Sequence, residues 1–351
     1  MSGNLRALLQ KIGGGATWGE QRNLTGDEAA LAWRTMLEGG ASEVLMAAFF
    51  AAMRAKGSTA DELVGCARVA RGRLRFPDLP EDAVVLATSR LGKFHSPPLG
   101  LAAAATAAAC GVPVLIQAAR QARGSGVTLG DLWESMVGPL RSDPARVEAE
   151  LARHRLSCWS VTAADPAWET LLEVEEALGM RCMPDIVVKL VVPPGCRLLL
   201  AAMPGPVLGV AGDAILGLGH RDALIVQGIE SSMDPSVCGR TRGLQIESGA
   251  IYPLRLVPED LALQCEEEPT FLGGDRLEGA RNANLQALMG MAGPVRSAVI
   301  LGASLFLVLS GRVPDLADAL APVQEALDSG RAHQVLEEVA GGAQESPGRS
   351  G

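Results

Sequence analysis

A buried strand, a turn, an alanine-rich helix and a second buried strand follow one another over residues 84–117, and this order most constrains the fold. Val84–Ala87 is a short apolar run rich in β-branched residues, which is typical of a buried strand. Leu99–Cys110 consists almost entirely of Ala and Leu, which favour helix and pack close against a sheet. Val112–Gln117 is the next apolar run. Similar alternation continues to residue 310 and predicts an α/β domain with a largely parallel sheet.

The turn between the first strand and the helix holds the residues of a candidate anion site. These are Gly92, Lys93, His95 and Ser96. Pro97 and Pro98 are expected in the first turn of the helix, where their missing N–H groups cost nothing. A helix N-terminus attracts anions, so the turn is able to hold a phosphate. It matches neither the Walker nor the dinucleotide glycine pattern, and a plain strand-to-helix connection remains the alternative.

The composition bounds the class of protein. A chain of 351 residues can bury a large core and is expected to form two domains. The net charge of −9 argues against a nucleic-acid coat protein but allows a local basic groove. The seven cysteines form no CxxC pair, which predicts reduced thiols rather than disulfides or a zinc site. No signal peptide is visible and the longest apolar run, Ala298–Leu309, is too short to span a bilayer, so we expect a cytoplasmic protein without a membrane partner.

Helical patterns fill the first 75 residues. Thr25 with Glu28, and Thr59 with Glu62, have the spacing of capping boxes, which begin helices. A basic cluster then precedes the hinge at residues 76–80; it contains Arg68, Arg71, Arg73 and Arg75. Such a cluster is either a solvated helix end or the rim of a phosphate site.

The chain is therefore divided into a helical N-terminal domain, an α/β domain and a tail. The predicted ranges are 1–76 for the helical domain, with helices of about residues 165–185 packing on it, 80–340 for the α/β domain and 341–351 for a disordered tail. Within the α/β domain, Leu198–Met203 and Val207–Val210 are short strand-like segments. Ile186–Val192 is a β-branched run interrupted by Lys189.

The N-terminal helices resemble those of a known family. A helix opened by Leu24-Thr25 is followed by the turn Leu37-Glu38-Gly39, the helix end Met53–Gly57, and the run Ser58-Thr59-x-x-Glu62-Leu63-x-Gly65. This order resembles the helical domain of the anthranilate phosphoribosyltransferase family, glycosyltransferase family 3, whose fold is shared by similar nucleoside phosphorylases. The resemblance covers about residues 5–340. It implies a homodimer that pairs through the helical domain.

Several positions that bind substrate in that family are occupied here by other residues. The family's Gly-Thr-Gly-Gly-Asp turn, which wraps the pyrophosphate of phosphoribosyl pyrophosphate, corresponds to Ser89–Lys93. Its Asn-x-Ser-Thr segment falls near His95–Pro98, and its Lys-His-Gly-Asn-Arg segment is replaced by Gln117–Arg120. Its magnesium-binding Asp-Glu pair becomes Met233-Asp234. The resemblance therefore implies a divergent, YbiB-like branch that lacks the catalytic motifs and binds nucleic acid.

The candidate ligand- or phosphate-binding residues follow from the turn and from this resemblance. They are Ser89, Arg90, Gly92, Lys93, His95, Ser96, Arg120, Arg181 and Lys189. Arg181 matches the family's Gly-x-Arg, whose arginine helps to hold the carboxylate of the aromatic acid. No catalytic residue, metal ligand or cofactor is assigned.

Two functional hypotheses remain. The first is a protein that binds a phosphate-bearing ligand or single-stranded nucleic acid in a basic cleft between the domains. The alternative is an active glycosyl or phosphoribosyl transferase with an altered substrate, using Mg²⁺ with phosphoribosyl pyrophosphate. The net charge of −9 and the 3% of aromatic residues count against nucleic acid.

Overall fold

The computed structural model describes residues 2–14, 22–119, 121, 122, 124, 126–205 and 207–344. Its first part is a helical domain. The helices are α1 (Ser2–Ile12), α2 (Gly26–Leu37), α3 (Glu43–Lys56) and α4 (Ala60–Arg71). Both predicted capping boxes are confirmed: the hydroxyls of Thr25 and Thr59 accept from the N–H groups of Glu28 and Glu62, whose carboxylates accept in return.

The second part is an α/β domain built on a seven-stranded sheet. Its strands are β1 (Val84–Ala87), β2 (Val114–Ala118), β3 (Leu156–Ser160), β4 (Arg197–Ala201), β5 (Ala223–Gln227), β6 (Thr241–Glu247) and β7 (Ala250–Leu256). The strand order is β3-β2-β1-β4-β5-β6-β7. The first five strands of this order, from β3 at the edge to β5, are parallel to one another. The hairpin β6–β7 adds two antiparallel strands at the other edge. The predicted α/β class with a mostly parallel sheet is confirmed.

Helices cover both faces of this sheet. They are α5 (Gly100–Ala109), α6 (Leu129–Met136), α7 (Pro144–His154), α8 (Val161–Ala164), α9 (Trp168–Leu178), α10 (Met183–Val188), α11 (Val207–Gly217), α12 (Arg276–Leu288), α13 (Pro294–Ser310), α14 (Leu316–Asp328) and α15 (Arg331–Gln344). Short 3₁₀ turns lie at Ile229–Ser231 and Pro258–Leu261. No helix in the described residues is long and apolar enough to cross a membrane.

Alternate residues of β1 belong to two different apolar clusters. Val84 and Leu86 pack in a cluster with helices α5 and α13, which lie on one face of the sheet. Val85 and Ala87 pack in the other cluster, which contains Phe49 and the rest of the helical-domain core. Because successive side chains of a strand point to opposite faces, one short strand ties the two layers together. Helices α9 and α10 contribute to the second cluster and so pack with the helical domain.

The link between the domains also includes a buried arginine. Arg71, at the end of α4, donates to the carbonyls of Leu190 (3.0 Å) and Leu218 (3.2 Å) and contacts His220 Nε2 at 2.7 Å. Burial, and then the charge of Arg71, lower the pKa of His220 to about 4, so its imidazole is neutral at pH 7. A cation of the predicted basic cluster thus joins the domains.

Three local expectations differ from the structure. Val207–Val210, expected to be strand-like, begins helix α11, because the apolar run continues for eleven residues and buries Ala214 and Ile215. The prolines at 97 and 98 precede helix α5, whose N-cap is Leu99. Helix α15 continues to Gln344, which lies inside the segment expected to be disordered. Residues 345–351 of that segment lie outside the described residues.

Candidate functional site

A pocket of about 340 Å³ lies at the carboxyl ends of strands β1, β4 and β5. The order of strands reverses its direction between β1 and β4, and ligands of open α/β sheets bind in the crevice at such a switch point. Its walls come from both domains. The lining includes Arg54, Ser89, Gly92, Lys93, Arg181, Lys189, Glu230 and Asp234.

The turn after β1 is fixed by a close backbone contact. Lys93 and Val127 exchange two N–H···O hydrogen bonds, both 2.9 Å long. Gly92 precedes this pair with φ of +62°, and a Cβ there would lie 2.5 Å from the carbonyl oxygens of Gly126 and Val127. Only glycine fits such a backbone without strain, so Gly92 has a structural reason to be glycine.

Arg90 lies beneath the turn rather than in the pocket. It is 1% exposed, and its guanidinium donates to Glu175 Oε2 at 2.9 Å and to Glu176 Oε1 at 2.6 Å. Both carboxylates come from α9. Burial, and then the neighbouring Asp185, raise the pKa of Glu175 to about 7. The sequence suggested a cation facing a ligand, whereas the structure places this cation in a buried ion-pair cluster.

Asp185 holds the other side of the same turn. Its Oδ1 accepts from the N–H of Arg90 (3.1 Å) and the hydroxyl of Ser89 (3.3 Å). Its Oδ2 lies 2.6 Å from Nε of Arg181. Burial alone raises the pKa of the Asp185 carboxyl, but Arg181, Lys189 and the N–H of Arg90 together hold it below its usual value. An ionised Asp185 therefore anchors both the turn and Arg181.

A carboxylate from the loop after β5 occupies the N–H groups of residues 94–96. Glu230 accepts from the N–H groups of Phe94 (2.7 Å), His95 (3.1 Å to Oε1) and Ser96 (2.8 Å), and from the hydroxyl of Ser96 (2.8 Å). These donors hold the pKa of Glu230 below its usual value although its burial acts in the opposite direction. Glu230 itself has φ of +54° and ψ of 34°, a left-handed conformation that is costly for a non-glycine residue. The anion-attracting part of the turn is thus filled by the protein itself.

Asp234, from the same loop, occupies the remaining donors of the turn. Its Oδ2 lies 2.8 Å from Nζ of Lys93, and its Oδ1 accepts from the N–H of Leu99 at 3.3 Å, at the start of α5. Ser232 also donates to Oδ2. This carboxylate therefore joins the loop after β5 to the turn and to the start of α5.

These contacts do not fit the magnesium ion implied by the resemblance. A cation already lies against Asp234, and both oxygens of Glu230 already accept N–H groups. Magnesium needs free carboxylate oxygens in near-octahedral geometry together with water. Within the described residues no three His, Cys, Asp or Glu side chains come together to hold a metal ion.

Another part of the pocket wall is formed by cations that Glu230 and Asp234 do not bind. Lys189, at the C-terminus of α10, lines the pocket with Arg181 and with Arg54 of α3. Lys189 is 8% exposed, and its side-chain Nζ makes no hydrogen bond or ion pair with any residue that the structure describes. Burial, and then the positive charge of Arg181, lower the pKa of Lys189 to about 7, against a smaller opposite effect of Asp185. A buried amine without a partner is costly, which makes this wall the place where a ligand anion gains most.

The predicted site residues therefore fall into four groups. Ser89, Gly92, Lys93, Arg181 and Lys189 line the pocket. His95 and Ser96 bind Glu230 beside it, and Arg90 is buried beneath it. Arg120 lies outside the described residues.

Two further expectations concern residues near the pocket. Gln117, which is expected to stand in place of the family's basic segment, donates from Nε2 to the carbonyl of Val188 at 2.9 Å and is buried. Of the basic cluster before the hinge, Arg68 donates to the carbonyl of Gly217 and Arg73 pairs with Asp165 at 2.6 Å. These cations hold the domains together.

Sequence reasoning missed the acidic partners Glu175, Glu176, Asp185 and Glu230, and the cation Arg54. One signal was available for Glu230. It lies just after the buried strand β5, and the carboxyl ends of parallel strands meet at one edge of a sheet. Arg54 gave no comparable signal, because it lies in a helix of the other domain.

Comparison with known proteins agrees with this architecture. Residues 98–333 match the family model for the glycosyl transferase family, a/b domain, and residues 6–73 match the glycosyl transferase family, helical bundle domain. A curated anthranilate phosphoribosyltransferase of Methylocella silvestris is 30% identical over 336 residues, which cover 95% of this chain and 93% of the relative. Another, from Anaeromyxobacter dehalogenans strain 2CP-1, is 30% identical over 323 residues, covering 91% and 95%.

Solved structures show the same fold. The anthranilate phosphoribosyltransferase of Thermus thermophilus superposes with a TM-score of 0.82 at 24% identity over 98% of this chain and 100% of that one. The enzyme of Saccharomyces cerevisiae in complex with PRPP and Mg gives 0.81 at 15% identity over 99% of each chain. With both domains matched in order and nearly full-length relatives, the chain belongs to the anthranilate phosphoribosyltransferase-like glycosyl transferase family.

Proposed function

We propose that this chain binds a small phosphate-bearing molecule in the pocket between its two domains. The observation that supports this most is Lys189, a buried amine without a partner in a cavity of about 340 Å³. Arg54 lines the same cavity and adds positive charge, and Arg181, which is paired with Asp185, also lines it. Pockets of about 300–1,000 Å³ are typical of small-molecule sites. A phosphate that reaches Lys189 gains a charge-assisted hydrogen bond in a largely desolvated place.

We further propose that this binding does not lead to displacement of pyrophosphate. The turn Ser89–Lys93 has a single glycine, so its backbone is less able than a glycine-rich loop to approach a pyrophosphate. The N–H groups of residues 94–96 already bind Glu230, and Asp234 already pairs with Lys93. These features support a branch of the family that has lost the pyrophosphate-loop and magnesium motifs.

Isothermal titration with phosphoribosyl pyrophosphate, with and without Mg²⁺, tests the proposed site. We expect binding that does not require Mg²⁺ and that weakens by about tenfold or more in Lys189→Met. Arg255→Met is the matched control, because Arg255 is an exposed cation on β7 that does not line the pocket. Absence of binding, or equal affinity in wild type and Lys189→Met, would overturn the proposal.

Single-stranded nucleic acid offers the same phosphate groups and is the other partner expected of a YbiB-like branch. Two observations favour the small molecule. The net charge is −9, and Arg68, Arg71 and Arg73 of the helical domain make contacts within the protein. A labelled oligonucleotide titrated at about 50 and about 200 mM salt is the discriminating arm. Tight, salt-sensitive binding of the oligonucleotide that Lys189→Met leaves intact would replace the small molecule as the partner.

A transferase with an altered substrate is the second candidate. It is favoured by the 30% identity, over more than nine-tenths of both chains, to relatives named anthranilate phosphoribosyltransferase. The assay is release of pyrophosphate from phosphoribosyl pyrophosphate with Mg²⁺ and anthranilate. Release above the uncatalysed rate that is lost in Lys189→Met would favour this candidate over a binding protein.

The homodimer implied by the family resemblance is also proposed. Val44 of α3 is 81% exposed and Leu31 of α2 is 40% exposed, so the helical domain presents apolar side chains to its surroundings. Light scattering of the purified chain measures the mass. A dimer mass that falls to the monomer mass in Val44→Glu would support pairing through this domain, and a monomeric wild type would exclude it.

A further inference from the structure

The four lysines of the chain differ in whether a carboxylate neutralises them. Lys11 lies 2.6 Å from Glu28, Lys56 2.7 Å from Glu62 and Lys93 2.8 Å from Asp234. Lys189 has no such partner within the part of the chain that the structure describes. All four lysines lie in described segments, so their surroundings can be compared directly. Lys189 is therefore the lysine whose amine is not held by an ion pair within the described residues.

The surroundings of Lys189 combine an apolar wall with charged groups. Leu86, Leu129 and Met233 line the cavity on its apolar side. The charged groups that act on the amine from its own segment are Arg181 and Asp185. Those that line the cavity from other elements are Arg54, Glu230 and the pair Lys93–Asp234. Because Lys189 lines this cavity, a small molecule bound there can contact its amine.

The charge state of this amine is set by its burial. Desolvation and the neighbouring Arg181 lower the pKa of Lys189 to about 7, so the neutral amine is accessible near neutral pH. A neutral amine is a nucleophile, whereas an ammonium ion is not. Lysines desolvated in apolar pockets beside another cation are activated toward carbonyl groups in this way.

We propose that Lys189 is a covalent attachment site for a small molecule that has an aldehyde or ketone group and an anionic group. This inference rests on the proposed function, because the anionic group would lie against Arg181 and Arg54 in the same pocket. It names the reactive group of the ligand, which the proposed function leaves open.

The reaction balances without any further reagent. The lone pair of Lys189 Nζ attacks the carbonyl carbon, the C–N bond forms, and the C=O π bond breaks onto oxygen. A proton passes from nitrogen to that oxygen to give a carbinolamine. The hydroxyl then leaves as water with a second proton as the C=N bond forms. One amine and one carbonyl become one imine and one water, with no oxidant or reductant.

Pyridoxal 5′-phosphate is a suitable probe, because it has one aldehyde and one phosphate. The full-length protein is incubated with the probe, the imine is reduced with borohydride, and peptides are analysed by mass spectrometry. We expect one adduct per chain, on Lys189, at a level about tenfold or more above that on any other lysine. Lys93 is an internal control, because it lines the same pocket but is paired with Asp234. Equal labelling of the four lysines, or labelling of others only, would overturn the inference.

Two variants and a competitor separate the possible outcomes. Lys189→Arg keeps a cation and is expected to lose the adduct, and circular dichroism confirms that it and Lys189→Met are folded. Labelling that falls as phosphoribosyl pyrophosphate is added supports a shared pocket. If phosphoribosyl pyrophosphate binds but Lys189 is not labelled, the inference fails while the proposed function holds. If it does not bind and Lys189 is not labelled, both fail.

Discussion

Lys93 and Lys189 line the same pocket, yet their charges are in different situations. Lys93 belongs to the turn that follows β1 and lies 2.8 Å from a carboxylate oxygen of Asp234. Lys189 lines the pocket from the end of α10, and its Nζ has no partner among the described residues. The difference shows that a cation in a conspicuous turn need not be available to a ligand. The loop after β5 supplies Glu230 and Asp234, which bind Nζ of Lys93 and the N–H groups of residues 94–96 and 99.

The largest expected effect on stability is at Arg90, the cation buried beneath the turn. Arg90→Met leaves Glu175 and Glu176 buried without their common partner, which should lower the free energy of unfolding by about 3–5 kcal/mol. Urea denaturation at pH 8 measures it. The loss should shrink toward pH 5, because protonation of Glu175, whose pKa is already raised to about 7, removes a buried charge that Arg90 no longer balances. A loss below about 1 kcal/mol, similar to that of Arg255→Met, would mean that Arg90 is not the centre of this cluster.

Substitution of the two pocket lysines should give effects of opposite sign. Lys93→Met leaves Asp234 unpaired and should destabilise the protein by on the order of 3 kcal/mol. Lys189→Met removes an amine whose pKa is lowered to about 7, and at pH 7 it should stabilise the protein by a similar amount.

The pH dependence of Lys189→Met provides the control. In the unfolded chain the lysine binds a proton up to about pH 10.4, whereas the folded state releases it near pH 7. The wild type therefore gains stability as the pH rises from 7 to 10, and its difference from Lys189→Met should nearly vanish at pH 10. Destabilisation by both substitutions at pH 7 would contradict the contrast between the two lysines.

A smaller effect on stability is expected at Glu230. Glu230→Ala frees the N–H groups of residues 94–96 and the hydroxyl of Ser96, and should cost about 1–2 kcal/mol in urea denaturation. The same change should raise the affinity for phosphoribosyl pyrophosphate in titration calorimetry, because the freed N–H groups can donate to phosphate oxygens. Glu259→Ala, at an exposed acidic residue outside the pocket, is the control. An unchanged or reduced affinity would show that the donors of the turn do not compete for the ligand.

Local features of the fold were predictable from the sequence, and pairings between distant segments were not. The capping boxes at Thr25 and Thr59 depend on residues three positions apart, so the sequence shows them directly. Strand β1 and the helix after it follow from short apolar patterns. The prediction of a strand at Val207–Val210 was wrong, because a short apolar run has the same composition in a strand and in the first turn of a helix.

The candidate site was predictable only as a set of residue types. The turn after β1 and Lys189 were both chosen from the sequence, and both lie at the pocket. Which donors are occupied depends on Glu230, which lies 134 to 136 positions further along the chain from the N–H groups that it binds. Arg90 likewise meets Glu175, 85 positions away. Such partners are set by tertiary packing, which single-sequence patterns do not encode.

The most direct test of which wall binds the ligand is a crystal structure of the protein with phosphoribosyl pyrophosphate. We expect a phosphate group within hydrogen-bond distance of Nζ of Lys189, with Arg181 or Arg54 beside it and Glu230 still bound to residues 94–96. A phosphate on the N–H groups of residues 94–96, with Glu230 displaced and no contact to Lys189, would contradict the proposed division between the filled turn and the open wall.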